Sequence, residues 1–153
     1  MATATTTRNG SDTDWRSDAS IAYALLRLTF GVNIGMRGLM RVVRGTDGFT
    51  AFLLKQFEVT YLPPAMIVPF GHVLPWVELA LGVLLILGLW TRPTLIIGAL
   101  MMTSLTFGTM LIGTDFYLAL LQLTYAGFWF LLLVLRSWNG LSLDAMMAGK
   151  RST

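Results

Sequence analysis

The chain contains no cysteine and a single histidine, His72, among its 153 residues. The missing cysteines exclude disulfides, thiolate catalysis, cysteine-ligated clusters and covalently attached haem. The lone histidine excludes a bis-histidine haem within one chain and a histidine-rich metal site. Charge is scarce too: Asp, Glu, Lys and Arg make up 12% of the residues, against roughly 25% in soluble domains. No flavin or dinucleotide fingerprint is present, and no basic stripe with interleaved aromatics, so nucleic-acid binding is not expected.

What the chain has in quantity is apolar surface. Hydrophobic residues make up 55% of it and the mean hydropathy is +0.67, more than a water-soluble sphere of this size can hide. The class is integral membrane. A hydrocarbon core about 30 Å thick needs about 20 mostly apolar residues per helix. Four stretches qualify: residues 21–40, 73–89, 93–112 and 116–135. The predicted fold is all-α, an integral membrane four-helix bundle over residues 21–136, between a polar N-terminal tail (1–20) and a C-terminal tail (137–153). The N-terminal tail lacks the short basic start of a signal peptide, and the first apolar run has no cleavage-type exit. Pro93 suits the first turn of the third span, and Asp115 is placed as the N-cap of the fourth. The tight joints predict that spans two and three, and spans three and four, are antiparallel neighbours.

The longer connection between spans one and two has its own pattern. Phe49, Phe52, Leu53 and Phe57 recur at helical spacing among Thr50, Lys55, Gln56 and Glu58. That predicts a short amphipathic helix lying in the membrane interface, or else a plain connecting loop. Pro63 and Pro64 break it, and Pro69 and Pro75 bracket an extended or kinked re-entry around His72. An even number of spans puts both termini on one face, with Arg8, Arg16, Arg92, Arg136, Lys150 and Arg151. The basic bias makes that face cytoplasmic, in a bacterial or archaeal cell membrane. Gly31 and Gly35 form a GxxxG extended by Gly38, and Ser104 and Gly108 a second small pair, both suited to close helix contact. Trp15, Trp76, Trp90 and Trp138 fall near predicted span ends, where membrane interfaces collect aromatic residues.

Ionisable groups within spans are expensive and are functional hypotheses by default. With 1.5 Å of rise per residue, Arg27 lies roughly 10 Å in from the inner boundary and Arg37 roughly 24 Å in. Glu78 lies about one turn below the outer boundary, at a depth shared with Arg37, Asn33, Arg41, His72 and Gln122. The expectation is one polar pocket opening towards the outer face. Glu78 and Arg37 are its catalytic candidates. Arg37, Arg41, His72 and Gln122 would hold an anion or polar substrate, and Trp76 and Tyr61 would flank the ring of a quinone head group. The same residues also admit a plain reading, with Arg37 and Glu78 as a structural ion pair and His72 as an interface residue. Arg27 either snorkels to the headgroups or bonds Tyr125 or backbone.

Several motifs carry a resemblance. The run Leu26-Arg27-Leu28-Thr29-Phe30-Gly31 with Arg37-Gly38-Leu39-Met40-Arg41 resembles the first helix of the DoxX/DoxD-like family, with Arg41 in place of the family's lysine. The run from Glu78 through Gly82, Gly88 and Thr91 to Arg92 resembles its second helix, and Asn139-Gly140-Leu141-Ser142-Leu143-Asp144 its closing segment. Arg37 departs from the family, standing where relatives often carry histidine. The resemblance implies a four-helix membrane subunit of a quinone-linked oxidoreductase, acting with a second subunit on thiosulfate or another small sulfur anion. It implies quinone as cofactor, and no haem, flavin or metal. Partners would be the bilayer and other protein subunits. The absence of a self-sufficient redox group supports an alternative, a non-catalytic accessory subunit of a larger membrane complex. Its contacts would be the GxxxG face, Met101-Met102 and the surface-lying loop. A small transporter is disfavoured, because no paired broken helices are visible.

Overall fold

The structure, a computed structural model, describes residues 10–113 and 116–150. It is all-helical over those residues: α1 (Gly10–Val43), α2 (Thr46–Phe57), α3 (Pro64–Leu87), α4 (Thr91–Ile112) and α5 (Phe116–Val134). A 3-10 turn (Leu135–Trp138) and α6 (Leu143–Lys150) follow. Four helical stretches are long and apolar enough to cross a membrane. Leu25, Val32, Leu100, Phe107, Phe130 and Val134 are exposed on them, as suits helices whose solvent is lipid. Asp115, expected to cap the fourth span, lies outside the described residues.

The short helix expected between the first two spans is present as α2, and its boundaries follow the phenylalanine spacing. Two local expectations change. Residues 10–20, assigned to the polar tail, are helical and continuous with α1. The segment around His72 is not extended: α3 starts with Pro64 in its first turn and runs through Pro69 and Pro75 to Leu87. Proline opens a helix without penalty. Inside membrane helices it is tolerated where neighbouring groups take up the freed carbonyls. Trp76 consequently sits in the middle of a helix rather than at a span end.

The helices pack chiefly as two pairs, α1 with α3 and α4 with α5; the expected neighbours α4 and α5 are closely packed, whereas the expected neighbours α3 and α4 touch much less. Glycine decides the first pair. A Cβ on Gly82 of α3 would run into the backbone of Gly35 and the carbonyl of Gly31, and one on Gly38 into Pro75 and Leu79. The GxxxG is therefore spent inside the chain, where it lets two backbones touch, and is not a face for a partner. Gly108 of the second small pair faces Phe57 of α2. In the other pair, the Trp129 ring of α5 lies where a Cβ on Gly98 of α4 would be. Trp129 is fully buried with Ile34, Leu85, Leu95, Met102 and Leu132. Met101 and Met102 are buried too, so they are core rather than a contact surface.

The C-terminal segment is tied to the corner between α3 and α4. That corner carries two residues with left-handed backbone, Gly88 (φ 64) and Trp90 (φ 47). The Asp144 carboxylate accepts from the backbone N–H groups of Trp90 (2.8 Å) and Thr91 (2.7 Å), capping α4. A cap of this kind contributes about 1 kcal/mol, and its charge suits the positive end of the helix dipole. Asn139 donates to the Thr91 hydroxyl (3.0 Å). Arg27 completes the knot. It is buried, and donates to the carbonyls of Leu85 (2.7 Å) and Leu141 (2.8 Å). Of its expected fates, backbone bonding is the one adopted, because α3 and the tail present carbonyl groups at its depth.

Candidate functional site

A cavity of about 700 Å³ lies between the two helix pairs and beneath α2. Its charged groups, and the amide and phenol nearest them, come from three helices, while Gln56 of α2 and Ser104 and Thr109 of α4 add further polar groups to the lining. Arg37 and Arg41 are one turn apart on α1 and so share a face. Gly38 between them brings α1 onto α3, where Glu78 faces the same space. Gln122 and Tyr125 enter from α5, again one turn apart. Most of the remaining wall is apolar, including Phe49, Phe52, Leu53 and Phe57 of α2, Ile67 and Leu74 of α3, and Leu105 of α4.

Glu78 is fully buried. Its Oε2 accepts from Arg41 Nη1 at 2.5 Å. The Arg41 guanidinium also lies over the Phe49 ring, 4.1 Å from its centroid, so α2 is held to the ion pair by a cation–π contact. Arg37 lies over Tyr125 instead, 5.2 Å from the ring centroid. The sequence points to Arg37 as the partner of Glu78 because the two share a depth. Long helical side chains lean towards the helix N-terminus. Arg41, one turn further on, therefore reaches back to Glu78, while Arg37 leans past it to Tyr125. Two acceptors, Glu78 Oε1 and Gln122 Oε1, are buried without a hydrogen-bond partner among the described residues.

Four of the predicted site residues thus meet: Arg37, Arg41, Glu78 and Gln122. Three do not. His72 turns to the start of α2, its Nδ1 2.9 Å from the Thr46 hydroxyl and 3.9 Å from Asp47. Trp76 is two residues before Glu78, about 200° round the helix, and points outward with 57% of its surface exposed. Tyr61 is fully exposed in the turn between α2 and α3. The ring-flanking role assigned to Trp76 and Tyr61 therefore has no geometric support. The aromatic groups that reach the charges are Tyr125 and Phe49. The three-residue step from Gln122 to Tyr125 is the sequence signal that would have found the first.

Residues 19–117 match a family model, that of methylamine utilisation protein MauE. The match covers more than half of the chain and includes Arg37, Arg41 and Glu78. No curated protein and no solved structure matches. The MauE match overturns the DoxX/DoxD resemblance, and with it the thiosulfate:quinone oxidoreductase subunit that the resemblance implied. The residues that carried the resemblance have structural uses here. Gly82 admits α1, Gly88 turns the chain after α3, and Thr91 and Asp144 close the α4 cap. Tight packing and a capped corner are requirements of a short-looped membrane bundle, and they do not specify a reaction.

Proposed function

Because this chain belongs to the MauE family, we propose that it is an integral membrane accessory protein of methylamine utilisation, a non-catalytic member of a multi-protein membrane assembly. The observation that carries this reading is the match over residues 19–117, which runs from the first span through the fourth helix and takes in the buried ion pair. The chain's own chemistry agrees. It has no cysteine for thiol exchange, and the one buried carboxylate among the described residues is engaged by an arginine. Deleting the gene from its native host tests the reading. Growth on methylamine as sole nitrogen or carbon source is expected to fail, with growth on ammonium and succinate unchanged and rescue by the intact gene. Unimpaired growth on methylamine would refute it.

The proposal includes orientation. Both termini face the cytoplasm of a bacterial or archaeal cell, following the basic residues Arg16, Arg92 and Arg136 and those of the tails. A fluorescent protein fused after Thr153 is expected to fluoresce, and a phosphatase that needs the exterior is expected to be inactive there. The reverse pattern would overturn the assignment.

A further inference from the structure

The cavity beneath α2 has a built polar end and no role in the accessory reading. The chemistry of its occupant can be inferred from its own geometry, independently of that reading. Three of its properties define what it would take. The first is charge. Two guanidinium groups, Arg37 and Arg41, face one carboxylate, Glu78. Arg41 is bonded to it, and Arg37, lying over the Tyr125 ring, shares the same carboxylate at longer range, so among the described lining residues one positive charge is in excess. An uncompensated charge in a low-dielectric site is costly, so the site favours one negative charge on its occupant. The second is hydrogen bonding. Glu78 Oε1 and Gln122 Oε1 are buried acceptors without a donor among the described residues, and an unmade bond there costs more than an ordinary bond contributes. The occupant must therefore bring hydrogen-bond donors, such as O–H groups, as well as an anion. The third is the apolar wall formed by Phe52, Phe57, Ile67, Leu74 and Leu105, which suits a hydrocarbon chain.

We infer that this cavity binds an acyl-chain amphiphile whose head combines one negative charge with hydroxyl donors, the chemistry of a phosphoglycerol lipid. Its phosphate accepts from Arg37. Its glycerol hydroxyls donate to Glu78 Oε1 and Gln122 Oε1, and the acyl chain lies along the apolar wall. Other heads fail on one count each. A fatty-acid carboxylate brings charge but no donor. A neutral monoglyceride brings donors but leaves the excess positive charge uncompensated. A cationic head is repelled by both arginines.

Three probes separate these cases: lysophosphatidylglycerol, oleate and monooleoylglycerol, each titrated into the purified full chain in detergent and read by native mass spectrometry. Lysophosphatidylglycerol is expected to bind one to one, about tenfold more tightly than either of the others, as one charge-assisted hydrogen bond would give. Arg37→Gln is expected to weaken it about tenfold, to the level of the monoglyceride. Ser104 lines the cavity, and its hydroxyl bonds its own helix, at Leu100. Ser104→Trp is therefore expected to narrow the space and weaken binding of all three probes, with the melting temperature little changed. Equal affinity for the three probes, preference for oleate or monoglyceride, or undiminished binding in Ser104→Trp would overturn the inference.

Discussion

Arg41→Met is expected to lower the stability of the bundle by about 3–5 kcal/mol, the cost of removing one partner of a buried ion pair. The asymmetry of the pair sets this expectation. Glu78 is fully buried, while Arg41 keeps 29% of its side chain exposed. Losing the arginine strands a carboxylate whose other oxygen already lacks a donor. It also releases the cation–π contact that holds Phe49 and α2. Replacing both charges removes the penalty, so Arg41→Met combined with Glu78→Leu is expected to recover most of the loss. Arg37→Gln, which gives up the contact with the Tyr125 ring and a longer-range attraction to Glu78, should cost about 0.5–2 kcal/mol. Unfolding titrations of the four proteins in mixed micelles give the comparison. A loss below about 1 kcal/mol for Arg41→Met alone would mean that the pair does not hold the bundle together.

The same substitution at two glycines is expected to act in opposite directions. Gly82→Ala places a methyl group against the backbone of Gly35, which cannot rotate away as a side chain can. α1 and α3 must separate, at about 1–3 kcal/mol for overpacking. Because Gly38 and Arg41 follow Gly35 on α1, the separation should also loosen the Glu78 contact and deepen the loss. Gly127 is a helical residue of α5 with nothing within 4 Å of where its Cβ would lie. There, Gly→Ala is expected to stabilise by about 0.5–1 kcal/mol through helix propensity. Destabilisation of similar size at both positions would contradict the close approach of α1 to α3.

The two glycines also mark how far the sequence can be read. Gly82 and Gly127 both sit in apolar helices and look alike in the chain. Only the neighbour opposite Gly82, another backbone, separates them. Arg27 poses the same problem on a larger scale. Its partners are the carbonyls of Leu85 and Leu141, and carbonyls leave no mark in a sequence because every residue has one. The DoxX/DoxD resemblance misleads for a related reason. The Gly82, Gly88, Thr91 and Asp144 pattern reports packing and capping, which unrelated short-looped bundles share.

What the sequence determined by itself is one-dimensional. Hydropathy and a fixed rise per residue located four spans, the amphipathic α2, and the common depth at which Arg37, Arg41, Glu78 and Gln122 meet. What the tertiary structure decided is rotation about each helix axis. It set Arg41 rather than Arg37 on Glu78, turned His72 to Thr46, turned Trp76 outward and paired the GxxxG with Gly82. In a soluble helix a polar face would have announced that rotation. Here the solvent is as apolar as the core, so faces that look alike in sequence are distinguished only by the shapes they pack against.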